Sequence, residues 1–267
     1  VLIALHGGFG EDGRLQMYLN RYGIRYNGSG VAGSQLGMDK FRFGERINIL
    51  NLSGVSALPK LLIDRPLDWQ AIKAFSVPCV IKPRSLGCSV GVYVCNNEQD
   101  YLALCTQIDC IGYMVEPYIK TDKITMQGGQ LVRINRGGWL EMTMAVVYNQ
   151  KWIALDPSIT VAQSDVLSIE EKFQGGTGIN LTPPPSSIVS AAALERLKNR
   201  MVQVAQSIEV RQYARIDLFY HTSSEQLILI EVNTLPALTP STVIYHQMMS
   251  SGFSTCPRSA LVWMSNT

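Results

Sequence analysis

Asp217, Glu231 and Asn233 carry the strongest chemical signal in the chain. They fall in two apolar runs, Tyr213–Tyr220 and Gln226–Asn233, joined by the polar turn His221-Thr222-Ser223-Ser224-Glu225, a pattern that predicts an antiparallel hairpin. Side chains alternate faces along a strand, so Arg215 shares a face with Asp217, and Glu231 with Asn233. A hairpin centred on Ser224 sets Asp217 opposite Glu231 and Arg215 opposite Asn233. Like charges facing each other across a ladder are destabilising. A divalent cation would remove that repulsion, and Asp, Glu and Asn oxygens are the hard donors Mg²⁺ takes, the remaining positions going to water or phosphate. The opposite face, with Ile228, Ile230 and Val232, is expected to pack on a helix and hold the ligands still. The competing reading makes Asp217 and Glu231 solvated strand residues with Arg215 salt-bridged between them. A one-residue slip of register would separate the pair.

Lys82 ends the apolar run Cys79-Val80-Ile81 and precedes the loop Pro83-Arg84-Ser85-Leu86-Gly87-Cys88. A lysine beside a flexible loop can set an ammonium and several backbone N–H groups against a polyphosphate, although an ordinary turn with a surface lysine has the same appearance. Gly28-Ser29-Gly30-Val31-Ala32-Gly33 matches G-x-G-x-x-G. The residues before it are short and polar rather than strand-like, which argues against a dinucleotide fingerprint. His6, at the end of the first apolar run beside a glycine loop, reads as either a substrate contact or a structural histidine.

These residues need a scaffold, and the sequence describes one. The run Val1-Leu2-Ile3-Ala4-Leu5 reads as a buried strand without a leading Met, so the chain is expected to be a fragment whose N-terminal α/β unit is truncated. A glycine-rich loop and a helix around Gln16–Tyr22 follow, then strands at Cys79–Lys82, Ser89–Cys95, Met142–Tyr148 and Trp152–Leu155. The clearest helix has Leu194, Leu197, Met201, Val204 and Ile208 at helical spacing behind a Ser190 N-cap. The mixture points to α/β architecture, α+β in part. With 267 residues, 46% of them hydrophobic, the chain can bury a sizeable core. The formal charge of +2 suggests no nucleic-acid partner, and no apolar run reaches the roughly 18 residues of a membrane span. The six cysteines show no zinc spacing and read as reduced, buried thiols.

Taken together, His6-Gly7-Gly8-Phe9-Gly10-Glu11-Asp12-Gly13, Tyr26-Asn27-Gly28-Ser29-Gly30, Met38-Asp39-Lys40, Val80-Ile81-Lys82-Pro83, Val115-Glu116-Pro117-Tyr118, Ala214-Arg215-Ile216-Asp217 and Glu231-Val232-Asn233-Thr234-Leu235-Pro236 resemble the D-alanine–D-alanine ligase family over about residues 1–247, in the family's order. The stretch around Glu171-Lys172-Phe173-Gln174-Gly175-Gly176 is similar to the tandem-fused form of plants and algae. The resemblance implies an ATP-grasp fold divided into an N-terminal remnant (1–39), a central subdomain (40–115) and a C-terminal subdomain (116–267). It implies that Lys40 and Lys82 contact the nucleotide phosphates, that Ser89 also binds the nucleotide, and that Glu116 meets the adenine edge. Lys172 would close over the γ-phosphate from a mobile loop. Asp217, Glu231 and Asn233 would hold Mg²⁺ (or Mn²⁺), Arg215 would stabilise the reacting acyl group, and His6 and Glu11 would lie near the first D-alanine. The backbone N–H of Ala237 would serve the oxyanion, with Ser241 and Thr242 shaping the second-substrate pocket.

The implied reaction phosphorylates one D-alanine with ATP and then lets the amine of a second attack, for peptidoglycan precursors. The resemblance implies a cytoplasmic protein if bacterial and a plastid protein if plant or algal, as a homodimer or one half of a tandem ligase. Two positions depart together: Cys88 and Phe173 stand where the family has a hydrogen-bonding serine and tyrosine. A matched loss of polar partners can be close to neutral, and Phe173 points to a relaxed second substrate such as D-lactate. Lys123, beside Asp122, replaces a ribose-binding glutamate, and the tail beyond Gln247 reads as irregular. Two alternatives stay open: a D-alanine–D-lactate or other carboxylate–amine ligase, and an inactive nucleotide-binding half.

Overall fold

The computed structural model describes residues 1–65, 67–86, 90–161, 179–239 and 242–266. The chain opens with α1 (Gly8–Glu11), α2 (Arg14–Arg21), α3 (Val31–Met38) and α4 (Lys40–Leu50), followed by β1 (Val55–Ser56), β2 (Leu61–Leu62), α5 (Trp69–Phe75), β3 (Cys79–Pro83), β4 (Tyr93–Cys95), α6 (Glu98–Gln107) and β5 (Tyr113–Pro117). Then come β6 (Lys123–Gln127), β7 (Gln130–Ile134), β8 (Trp139–Asn149), β9 (Lys151–Ala154), β10 (Ser158–Val161) and β11 (Ile179–Leu181). The last elements are α7 (Ala191–Ser207), β12 (Tyr213–His221), β13 (Leu227–Asn233), α8 (Val243–Ser250) and α9 (Pro257–Asn266).

Among the described residues the strands form a large sheet in the order β1-β13-β12-β8-β10-β11, with β9 on β8, a smaller sheet in the order β2-β5-β3-β4, and the hairpin β6–β7. Alternation along β12 explains how the large sheet serves two purposes. Ala214, Ile216, Leu218 and Tyr220 join Phe43 and Ile47 of α4 and Leu197, Met201 and Val204 of α7 in the main core. Each fully buried aliphatic side chain there contributes roughly 1.5–3 kcal/mol. The opposite face packs at one end on α8 and α9, through Tyr213, Ala145, Ile244, Met248 and Met264. Further along that face Arg215, Asp217 and Phe219 are left to another use.

The small sheet has the same two-sided logic. Cys79, Ile81, Cys95 and Val115 pack with Ile72 of α5 and Leu104 of α6, so Val80, Lys82, Val94 and Glu116 face the other way. The strand β5 runs across the division suggested at residues 115/116.

The long helix α7 forms as its spacing predicts, capped by Ser190, whose Oγ accepts from Ala193 N at 3.3 Å. Four expectations change. Residues 1–5 form no strand: only Ile3 is buried, and its backbone bonds the side chain of Asn27 rather than a neighbouring strand. The strand expected from Ser89 starts at Tyr93, because Gly91 takes a left-handed turn at φ 72°. The tail is helical, since Pro257 sits at the start of α9, where a missing N–H costs nothing. Of the described cysteines, Cys79, Cys95 and Cys110 are buried, but Cys105 and Cys256 are exposed. No helix among the described residues is long and apolar enough to cross a membrane.

Candidate active site

The two sheets face each other across a cleft of about 370 Å³, within the range of roughly 300–1,000 Å³ typical of ligand pockets. Its walls carry opposite chemistry. Lys82 and Glu116 come from the small sheet, Asp217, Phe219 and Glu231 from the large one, and Lys40 from the start of α4.

On the large wall, β12 and β13 pair with Asp217 opposite Glu231 and Arg215 opposite Asn233, the expected register. Beyond them the register shifts, with Leu218 opposite Leu229, leaving Ile230 as an extra residue in a β-bulge. A bulge reverses the in–out alternation. The core therefore takes Leu227, Leu229 and Val232 rather than Ile228, Ile230 and Val232, and Ile230 lines the cleft beside Glu231.

Both carboxylates are nearly buried and each has its own cation, so the reading of solvated strand residues does not hold. Arg215 Nε and Nη2 donate to Asp217 Oδ1 and Oδ2, both at 3.3 Å. Thr143 Oγ1 and Asn233 Nδ2 add bonds of 2.5 and 3.2 Å. Lys40 Nζ lies 2.9 Å from Glu231 Oε2. Burial, with the Glu231 charge, raises the Asp217 pKa even against Arg215. Burial pushes Glu231 up as well, but the charge and hydrogen bond of Lys40, helped by Lys82 and Arg215, outweigh it and bring the carboxyl to about 2.

Two carboxylates facing each other with an amide beside them suit a divalent cation, and one charge balance follows from chemistry. A cation would take over the work that Arg215 and Lys40 do and free both for anionic groups. Among the described residues no group of three or more His, Cys, Asp or Glu is placed to hold a metal; the set here is two carboxylates and an amide.

On the small wall, Glu116 sits between two lysines. Lys82 Nζ is 2.6 Å from Oε2 and Lys60 Nζ is 3.0 Å from Oε1. Burial opposes ionisation of Glu116, yet the two ammoniums hold its pKa below the usual carboxylate value. Helix α4 ties the walls together. Asp39 accepts from Arg84 Nε and Nη2 at 2.8 and 2.6 Å and caps α4 through Arg42 N. The adjacent Lys40 bonds Arg84 O through its backbone N at 3.0 Å and Leu86 O through Nζ at 2.5 Å.

His6 and Glu11 come together at the end of β13. Glu11 accepts from Gly7 N and Leu235 N at 2.9 and 2.8 Å. His6 Nδ1 lies 2.9 Å from Leu235 O and 3.1 Å from Glu11 Oε2, and the bond to Glu11 raises the His6 pKa against the effect of burial. Ala237 follows in the half-buried segment after β13. Thr242 precedes α8, and its buried Oγ1 has no partner among the described residues. Cys88, Ser89, Lys172, Phe173 and Ser241 lie outside the described residues. Lys123 lines the cleft as well. Its neighbour Asp122 is structural, accepting from Arg133 and from the N–H groups of Arg136, Gly137 and Gly138.

Two site residues escaped the sequence reading. Thr143 stands opposite Asp217 on β8, and the alternation Glu141-Met142-Thr143-Met144 already put it on a polar face. Lys60 was a lone lysine among apolar neighbours in Leu58-Pro59-Lys60-Leu61-Leu62, a setting that implies burial. The glycines of G-x-G-x-x-G serve packing: a Cβ on Gly33 would lie 2.1 Å from Glu209 O, and one on Gly28 would lie 2.5 Å from Leu235 Cδ2.

Residues 131–256 match the family model described as D-ala D-ala ligase C-terminus. The chain is 29% identical over 261 residues to a D-alanine–D-alanine ligase of Desulfotalea psychrophila, covering 94% of this chain and 72% of the relative. It is 30% identical over 265 residues to one from Leptospira interrogans serovar Lai, covering 95% and 69%. The fold is similar to VanG D-Ala:D-Ser ligase from Enterococcus faecalis, with TM-score 0.75, 24% identity and coverage of 99% and 71%. It is also similar to the ATP-complexed D-alanine–D-alanine ligase from Bacillus anthracis, with TM-score 0.72, 21% identity and coverage of 99% and 77%. The architecture is thus the ATP-grasp fold expected from the motifs. By its motifs, its cleft and its similarity to these relatives, the chain belongs to the D-alanine–D-alanine ligase family.

Proposed function

We propose that the chain is the nucleotide- and Mg²⁺-binding body of an ATP-dependent ligase that joins two D-alanines through an acyl phosphate for peptidoglycan precursors. One observation carries this reading: a single cleft sets Lys40 and Lys82 beside the facing carboxylates Asp217 and Glu231. In this proposal residues 1–39 belong to the substrate side, 40–115 form the lysine-bearing wall and 116–267 the carboxylate wall, with β5 as their seam.

The roles follow from charge and reach. Lys40 and Lys82 bind and orient phosphate oxygens as mobile point charges. A Mg²⁺ ion (or Mn²⁺) held by Asp217, Glu231 and Asn233 would neutralise phosphate charge and so favour phosphoryl transfer. Arg215, which now donates to Asp217, would stabilise the developing oxyanion together with the backbone N–H of Ala237. His6 and Glu11 hold the first D-alanine near the end of β13, with Ser241 and Thr242 beside the second-substrate pocket. Lys172 closes over the γ-phosphate, Ser89 joins the nucleotide site, and Cys88 with Phe173 form a matched change that relaxes second-substrate choice.

Phosphate release from ATP, measured with and without D-alanine and Mg²⁺, tests the reading against an Asp217→Ala control. Release that needs both and vanishes in the control is expected. ATP binding without turnover would instead favour an inactive nucleotide-binding half.

A further inference from the structure

Lys60 is not among the residues lining the cleft, and the proposed reaction asks nothing of it, yet its side chain is only 4% exposed. It reaches Glu116 Oε1 at 3.0 Å and Leu58 O at 3.2 Å. Its stem passes against Gly44 of α4, where an added Cβ would lie 2.5 Å from Nζ and 2.8 Å from Cε. The fold thus gives up a side chain on α4 to admit an ammonium behind Glu116. Burying a cation is costly unless it is paired, and the partner here is a carboxylate that already has a cation, Lys82 at 2.6 Å. The two ammoniums differ in outlook: Lys82 lines the cleft, while Lys60 stands behind it.

We infer that Lys60 is a positioning residue, the standing counter-ion of Glu116, whose presence lets the Lys82 ammonium leave Glu116 and take a phosphate oxygen. The inference rests on the nucleotide reading above and deepens it. With Lys60 in place, the departure of Lys82 leaves Glu116 still paired. Without it, the same movement strands a buried carboxylate, and removing one partner of a buried pair is strongly destabilising. Lys60 therefore acts on phosphate affinity without touching phosphate.

Binding of Mg²⁺-tripolyphosphate and of ATP to the full 267-residue chain tests this by calorimetry. Tripolyphosphate has no base, so any contact between Glu116 and adenine is not read. The formal charge of the triad is +1 in the native chain, since Lys60 and Lys82 are positive and Glu116 negative. It is neutral in Lys60→Met, +2 in Glu116→Gln and +1 again in the double variant. Lys60→Met is expected to weaken tripolyphosphate binding about tenfold and Glu116→Gln to tighten it about tenfold, with the double variant within about threefold of the native chain. A merely structural lysine would not produce the rescue in the double variant. Gly44→Ala, which sets a methyl group against the ammonium, is expected to weaken binding in the same direction. Native-like tripolyphosphate affinity in folded Lys60→Met, or a double variant as weak as Lys60→Met, overturns the inference and leaves the nucleotide reading intact. Should Lys60→Met not fold, unchanged affinity in Glu116→Gln overturns it. Failure of the native chain to bind ATP overturns the nucleotide reading and the inference with it.

Discussion

Asp217 faces Glu231 across the β12–β13 ladder, and each carboxylate is neutralised from a different direction, Asp217 by Arg215 two residues away on its own strand and Glu231 by Lys40 on a helix of distant sequence. The pair is therefore two half-sites that share a wall, each with its own principal cation and each feeling the charge of the other.

Lys40→Met removes the half that serves Glu231. In the native chain the Glu231 carboxyl, at about 2, contributes stability that is present above its unfolded value and lost as pH falls through the folded one. The variant keeps a buried carboxylate without its cation, at a cost of about 3 kcal/mol near neutral pH. Protonation relieves that cost, so the gap between variant and native chain is expected to narrow as pH falls below about 5. Urea unfolding at several pH values checks this; a gap that stays constant with pH would count against it.

The bond from Glu11 raises the His6 pKa. A raised histidine stabilises the fold fully below its unfolded value, near 6.5, and that contribution fades as pH rises through the folded value. Thermal unfolding of the native chain is expected to show a decline over this window, and His6→Asn to flatten it. Titration of the His6 ring signal by NMR gives the folded value directly.

Gly33→Ala is expected to destabilise the chain by about 1–3 kcal/mol. Its Cβ would meet the carbonyl of Glu209, which is backbone and cannot rotate away. If the variant unfolds at the native urea midpoint, α3 does not need its close approach to the segment after α7.

Deletion of Ile230 erases the bulge. Leu229 and Glu231 then become neighbours on opposite faces, so a regular ladder keeps Leu229 opposite Leu218 in the core and Glu231 opposite Asp217 at the cleft, without the local bend of the bulge. Cooperative unfolding is expected to survive the deletion, and Ile230→Val, which keeps the bulge, is expected to cost no more than about 1 kcal/mol. Circular dichroism melts of the two variants separate the count of residues from the size of the side chain.

The parts legible in sequence were those set by local pattern. Helix α7 with its Ser190 cap, the hairpin of β12 and β13 and the pairing of Asp217 with Glu231 all follow from periodicity and turn position. The bulge was not legible, because Leu227, Ile228, Leu229 and Ile230 are all apolar and conceal a change of alternation. The pairing of Lys40 with Glu231, and of Lys60 with Glu116, joins residues far apart in the chain; strand and helix patterns do not carry such distances. Residues 1–5 misled for a related reason: an apolar run reads as a strand, but a strand also needs a neighbour, and Ile3 finds only Asn27.

Asp39 and Lys40 are consecutive, yet one grips Arg84 on the small-sheet side and the other grips Glu231 on the large sheet. The two walls are thus pinned at a single peptide unit at the start of α4, itself held to Arg84 O. Points near that pin travel least when the sheets swing, and points at the far rim travel most. A guest molecule would feel a jaw with a fixed corner, the one where Lys40 meets Glu231.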